Sequence, residues 1–204
     1  GPKCLLSISL EETIIQNIIK NIESIYPNSE TTVVVGFEAD KVTKTLPDDI
    51  RVIENQFYNE TNVVESLRLA LNSITSTKAL IIYGDLIFNS QAITNLTNEG
   101  PCAVVDSQKN FKSEEVGVTV VDNMITHFAY GLDIKWGQII YLENESLSLF
   151  KTLCSNRKRN KMYPFELFNI MINEGLQIKA VEPDDIQIQE VDSLKDIQYE
   201  NNDI

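Results

Sequence analysis

The sequence predicts an α/β fold: a doubly wound, mostly parallel mixed sheet carrying a β-hairpin extension. Three observations predict it. Residues 79–83 (Ala-Leu-Ile-Ile-Tyr) form an unbroken apolar run, which suits a strand buried on both faces, as parallel strands are. Up to Asp85, short apolar runs alternate with longer stretches of helical periodicity, the pattern of successive β-α units. After Gly100-Pro101 the texture changes to short strands at close spacing, joined by turns such as Asp122-Asn123, which read as hairpins folded over one edge of the sheet.

The elements follow in order. Ser9 with Glu11-Glu12 marks a helix start, and Ile14, Ile15, Ile18, Ile19 and Ile22 recur at helical spacing to about Tyr26, before Pro27-Asn28 stops the helix. Residues 31–35 read as a strand closed by Gly36, 39–46 as a short helix ending before Pro47, and 50–53 as a second strand ending near Asn55. Thr61-Asn62 caps a helix running to about Ile74. The strand before Asp85 follows, and then a helix at 90–98. Strands are expected at 102–106, 115–121, 124–128 and 137–142, and helices at 145–153 and 164–174, with Gly175 capping the second. A strand at 177–181 and a helix from Leu194 to about Tyr199, capped by Ser193, complete the chain. No repeat or linker interrupts residues 1–204, so a single domain is expected.

Composition narrows the function. Across 204 residues the net charge is −13, which argues against a nucleic-acid surface, since that would need a basic stripe. A small anionic substrate is still compatible, because a local cluster of lysines can overcome a distant negative field. No apolar stretch reaches the ~18 residues of a membrane span. Cys4, Cys102 and Cys154 are an odd number, widely spaced and without a CxxC, so a reducing cytoplasm is the expected compartment. The single His127 sits in a strand-like alternation and reads as structural; one histidine builds neither a His-based triad nor a poly-His metal site. The basic run 157–161 reads as a solvated loop. Trp136, beside Gly137, could stack on a ligand or pack in the core.

Two acids close apolar segments far apart in sequence: Asp85 after Gly84, and Asp192 after Glu190-Val191. Taken singly, each could be a turn acid. Taken together at the carboxyl ends of strands, where α/β sheets place ligands, they could clamp one hard divalent cation against phosphate oxygens. Gly84 would let backbone approach the ligand closely.

Ordered segments then carry a likeness. Residues 2–6 (Pro-Lys-Cys-Leu-Leu), 33–37 (Val-Val-Val-Gly-Phe), Asn55-Gln56-Phe57-Tyr58 with Thr61-Asn62 and Ser66-Leu67, residues 81–85, Tyr163-Pro164-Phe165-Glu166, and Glu190-Val191-Asp192-Ser193 with Lys195-Asp196 stand in the order of corresponding motifs in the sugar-phosphate nucleotidyltransferase superfamily. The chain resembles that superfamily, including its phosphocholine cytidylyltransferase branch.

The resemblance implies a nucleotide-diphospho-sugar transferase-like fold, with residues 1–100 as the nucleotide-binding half and 101–204 as the acceptor-binding half. It implies nucleotidyl transfer from a nucleoside triphosphate, CTP or UTP in preference, to a small phosphorylated acceptor such as a sugar 1-phosphate or a phosphocholine-like alcohol. Asp85 and Asp192 would hold Mg²⁺ and Lys3 would neutralise phosphate charge. Asn55, Tyr58, Asn62, Ser66, Gly84, Trp136 and Glu166 would line the substrates. Nucleic acid and membrane are not among the expected partners, and an oligomer is compatible.

In the superfamily a first strand and a glycine-rich loop precede the Pro-Lys, whereas here only Gly1 does. The expectation is that those elements are missing from this sequence, leaving two strands with unpaired edges. Further departures are Gln56 where relatives carry proline, Tyr130 where many carry a phosphate-contacting lysine, and Leu167 in place of an acid. Two alternatives follow: a non-catalytic relative serving as a binding or interaction module, and a metal-dependent glycosyltransferase. The latter normally carries both acids in one D-x-D, which Asp85-Leu86-Ile87 does not supply.

Overall fold

The computed structural model of the chain describes residues 1–108 and 114–198. Its centre is a mixed six-stranded sheet in the order β3-β8-β5-β9-β7-β6, from β3 (Lys78–Ile82), β5 (Cys102–Asp106), β6 (Val116–Val121), β7 (Met124–Tyr130), β8 (Ile134–Glu143) and β9 (Lys179–Val181). Two smaller pairs stand apart from it. β1 (Thr32–Val35) and β2 (Arg51–Glu54) run parallel, while β4 (Leu86–Phe88) and β10 (Ile188–Glu190) run antiparallel.

The expectation of a mostly parallel sheet is therefore corrected. Within the six-stranded sheet only β5 and β9 pair in parallel. The cause is β8, which returns from the hairpin region and inserts between β3 and β5, antiparallel to both. β6 and β7 add an antiparallel hairpin, as strands joined by a short connection do. The hairpin itself forms as read: Asp122 and Asn123 take φ of 51° and 64° and join β6 to β7, the left-handed pair that a two-residue hairpin turn requires.

Helices cover both faces. On one face α3 (Val63–Asn72), α4 (Asn144–Ser155) and α5 (Pro164–Asn173) enclose Trp136, Phe128, Phe150 and Phe168. On the other, α1 (Ile14–Ile25) packs Ile14 and Ile18 against Leu86, Phe88, Ile93 and Ile139. Short helices at Ala39–Thr43 (α2) and Leu194–Gln198 (α6) complete the set. Tyr199, the expected end of α6, lies outside the described residues. No helix among the described residues is long and apolar enough to cross a membrane.

Several element boundaries differ from the sequence reading, and β4 and β10 are strands it does not expect; three of the differences have a local reason. α1 starts at Thr13, not Ser9, because Thr13 and Gln16 form a reciprocal capping box. The expected helix at 90–98 is two 3₁₀ turns, Ser90–Ile93 and Leu96–Asn98, broken at Asn95, whose φ is 60°. β8 begins at Ile134 rather than Gly137 and bulges between its pairings with Ala103 and Val105.

Candidate active site

The apolar strand β3 delivers Tyr83-Gly84-Asp85 to the sheet's edge, and the chain turns there into β4. β10 then lies antiparallel on β4, with Glu190 opposite Leu86, and the Val191 N–H donates to the Asp85 carbonyl at 2.9 Å. This ladder is what brings Asp192 to Asp85. Gly137 of β8 lets β10 seat closely, since a Cβ there would stand 2.9 Å from Ile188 Cδ1. Asp192 is fixed in turn by Asp196, whose carboxylate accepts from the Asp192 and Ser193 N–H groups, both at 2.8 Å.

Lys3 meets both acids. Its 3₁₀ turn, Lys3–Leu5, is closed by the Leu6 N–H donating to the Lys3 carbonyl at 2.9 Å. Its ammonium lies 3.3 Å from Asp192 Oδ1 and 4.0 Å from Asp85 Oδ2. Three residues from the two ends and the middle of the chain thus converge around one positive charge.

Asp85 is the constrained member. Its Oδ1 is buried without a hydrogen-bond partner. Burial pushes its carboxyl above the usual aspartate range; Lys3 pulls it back and Asp192 adds to the rise. Glu190 is also raised, by burial first and then by Asp85. Its Oε2 accepts from Gln138 Nε2 at 2.8 Å, while Gln138 Oε1 is buried without a partner. Tyr83, beneath them, is pushed far up by burial and by Asp85. The result is an acid-rich corner, desolvated at Asp85 and open at Asp192, with one adjacent ammonium.

The remaining expected residues divide. Trp136 is only 2% exposed, sits edge-on to Tyr83, Phe128 and Phe168, and donates Nε1–H to the Ile139 carbonyl. It is core, which corrects the ligand-stacking expectation: strand alternation turns it toward the helices. Asn55, 2% exposed, donates to Thr61 Oγ1 and Ser66 Oγ and accepts from the Phe57 N–H. Asn55 and Ser66 therefore bind the 55–61 turn to α3. Asn62 caps α3, accepting from the Val63 N–H while its own N–H donates to the Asn160 carbonyl.

Tyr58 packs on Gly36, where a Cβ would come within 2.7 Å of the Tyr58 Cβ, and meets Phe37 edge-on at the ends of β1 and β2. Glu166 accepts from the Tyr163 N–H at the start of α5, and Leu167 is fully buried beside it, which explains an apolar residue there. Tyr130 rests edge-on against Phe165. Gly84 is open: a Cβ placed there would meet no atom within 4 Å. Cys102 and Cys154 are buried, with thiols pushed up to about 12, so neither is a nucleophile at neutral pH.

Sequence reasoning leaves Glu190 without a role and passes over Gln138. A left-handed backbone is ordinarily flagged by glycine, and Gln138 adopts φ 58° with a side chain that gives no such signal. A surface depression lined by Glu23, Tyr26, Glu30 and Asp49 lies at the amino-terminal ends of β1 and β2; its carboxylates make it a poor seat for phosphate.

This architecture is the nucleotidyltransferase fold. The solved inositol-1-phosphate CTP transferase from T. maritima matches 96% of this chain and 82% of its own, with a TM-score of 0.77 and 15% identity. The CTP:phosphocholine cytidylyltransferase from Streptococcus pneumoniae matches 98% and 88%, with a TM-score of 0.72 and 17% identity. A UDP-glucose pyrophosphorylase complexed with UDP-glucose matches 98% and 89%, at 0.77 and 10%. No protein-family model and no curated protein sequence matches the chain. At these identities the likeness establishes the fold.

Proposed function

We propose that the chain is a Mg²⁺-dependent nucleotidyltransferase that passes a nucleotidyl group from a nucleoside triphosphate to the phosphate of a small phosphorylated acceptor. The carrying observation is the convergence of Asp85, Asp192 and Lys3, in the fold shared with enzymes whose names specify CTP, phosphocholine and UDP-glucose. The CTP and UDP-glucose in those names support CTP and UTP as the first nucleotides to try.

The donor set suits the metal. Among the described residues no group of three or more His, Cys, Asp or Glu is placed to hold an ion. Mg²⁺, however, is commonly bound by one or two carboxylates, with waters and substrate phosphates filling the remaining positions. Asp85 presents a buried oxygen with no other partner, and Asp192 already shares a cation with it in the form of the Lys3 ammonium. Asp85 and Asp192 would hold the ion, whose chemistry is to neutralise phosphate oxygens. Electrostatics supports the need for it. A triphosphate approaching Asp85, Glu190 and Asp192 meets like charge in a partly desolvated corner, where each repulsion is worth on the order of a few kcal/mol.

In the reaction an acceptor phosphate oxygen forms a bond to the α-phosphorus as the bond from that phosphorus to the bridging β-oxygen breaks, releasing pyrophosphate. The phosphate nucleophile is already anionic, so no general base is needed, in keeping with a site that holds no histidine. Lys3, now paired with both carboxylates, would donate to phosphate oxygens as a point charge. The exposed Phe37 and Tyr58 rings, edge-on to each other, each offer an apolar face on which a base could stack at the ends of β1 and β2. Acceleration rests on alignment and charge neutralisation.

Pyrophosphate release, measured with CTP and UTP against glucose 1-phosphate, inositol 1-phosphate and phosphocholine, with and without Mg²⁺, tests the proposal. Turnover is expected only with metal. Asp85→Asn and Asp192→Asn should each lower kcat/KM by about 10²-fold or more. Metal-independent turnover, or full activity in both variants, would overturn it.

A further inference from the structure

Gln138 departs from ordinary strand behaviour twice. Its backbone sits at φ 58°, a region costly to residues with a Cβ and free to glycine. Its side-chain Oε1 is buried without a partner, which also weakens the fold. The bulge of β8 needs neither feature, since glycine at 138 would make the same turn without strain. Strain and a desolvated acceptor on one residue, beside the candidate site, indicate that the side chain is used.

The orientation of the amide is fixed. The ionised Glu190 carboxylate accepts from Gln138 Nε2 at 2.8 Å, which leaves Oε1 as an acceptor. The Gln138 carbonyl takes the Tyr83 N–H at 3.3 Å, two residues before Asp85. Glu190 precedes Val191, which bonds the Asp85 carbonyl. The amide is therefore built into the wall that carries both aspartates. That wall holds two buried acceptors with no partner, Asp85 Oδ1 and Gln138 Oε1, and they call for different ligands. The carboxylate oxygen suits a cation, whereas the neutral amide oxygen suits a neutral donor.

The geometry points to Gln138 as the residue that selects the acceptor, its Oε1 receiving a hydrogen bond from a hydroxyl of a phosphorylated polyol while Glu190 holds the amide in place. This rests on the nucleotidyltransferase reading and gives it a substrate class. A sugar or cyclitol phosphate has hydroxyl donors to offer; a quaternary ammonium alcohol phosphate has no N–H or O–H to place there. A site built to bind a hydroxyl discriminates against analogues that lack it.

Calorimetry on the full chain tests this, with Mg²⁺ and a non-hydrolysable CTP or UTP analogue present, using inositol 1-phosphate, glucose 1-phosphate and phosphocholine as probes. Gln138→Gly and Gln138→Asn both tolerate positive φ, which offsets the lost hydrogen bond to Glu190, so melting temperatures close to wild type are expected. Wild type should bind at least one polyol phosphate about tenfold or more tighter than phosphocholine. Both variants should lose about tenfold of that affinity. In turnover the acceptor KM should rise while kcat and nucleotide affinity hold. Unchanged polyol affinity in the variants, or a wild type that prefers phosphocholine, would overturn the inference and leave the proposed function standing. Variants that lose Mg²⁺-dependent nucleotide affinity instead would move Oε1 to the metal's water shell and also overturn it. A wild type that binds no nucleotide removes the reading beneath it, and the inference with it.

Discussion

Asp85 is held in a state that costs stability and serves binding. Its raised carboxyl means the folded chain holds that proton more tightly than the unfolded chain does. Stability contributed by this group is therefore greatest below the ordinary aspartate value. It falls as pH rises from that value through the higher folded one, and stays low above it. Asp85→Asn removes this dependence along with the charge. In metal-free buffer at pH 7 the variant should melt above wild type, with the gain vanishing toward pH 3. Thermal melts across pH 3–8 in EDTA check it, and a variant less stable at every pH would contradict it. The same residue shows what was legible at this scale. Asp85, Asp192 and Lys3 stand out in the sequence because an acid after a glycine at the end of an apolar run is chemically conspicuous. Gln138 does not, since its conformation is imposed by β8 and β3 and not by its own preferences. Trp136 is ambiguous because strand alternation assigns it a face without saying which face is dry.

At the scale of elements, the turn between β2 and α3 is held by one buried amide. Asn55 ties the Phe57 N–H, Thr61 and Ser66 together, so the helix start and the strand end move as a unit. Asn55→Ala would strip donors from two hydroxyls and an acceptor from a backbone N–H. We expect a loss of about 2–3 kcal/mol, visible as a lower urea midpoint with an unchanged slope. Asn55→Asp, which keeps the acceptor but not the donor, should lie between. A loss under 0.5 kcal/mol (a bound of about half a typical hydrogen bond) would show that the turn is held by packing alone. The sequence marks this segment but presents its polar groups as ligand-facing. Asn, Thr and Ser carry the same atoms whether they close a turn or bind a substrate, and only the fold shows which way they point. Elements with strong end signals, such as α5 between Pro164 and Gly175, are legible to within a residue or two. The stretch 90–98 is not, because its apolar spacing fits a 3₁₀ turn as well as a helix.

For the whole molecule, most of the order of elements can be read from the sequence, the short strands β4 and β10 excepted, but their pairing cannot. Nothing in residues 134–143 announces that β8 will lie between β3 and β5, and that insertion makes the sheet mixed and brings the bulge against Tyr83, two residues before Asp85. The same assembly assigns two glycines opposite jobs. Gly137 is required by the fold, as a Cβ there would press on Ile188 Cδ1 at 2.9 Å and the Val104 carbonyl at 3.3 Å. Gly84 is not: its φ lies outside the left-handed region and a Cβ would touch nothing. Gly137→Ala should cost about 1–3 kcal/mol through overpacking. Because β10 carries Glu190 and leads into Asp192, the variant should also weaken Mg²⁺-dependent nucleotide binding. Gly84→Ala should leave stability unchanged or raise it by about 0.4–1 kcal/mol, through the smaller entropy of the unfolded chain. If phosphate or metal approaches the Gly84-Asp85 backbone closely, Gly84→Ala should nonetheless lower nucleotide affinity by about tenfold, as one methyl intrudes on ligand space. Melts and nucleotide titrations on the two variants separate the jobs: Gly137→Ala should lose both stability and binding, and Gly84→Ala binding alone. Normal nucleotide affinity in Gly84→Ala would show that the ligand approaches Asp85 from its side-chain face and not over the glycine.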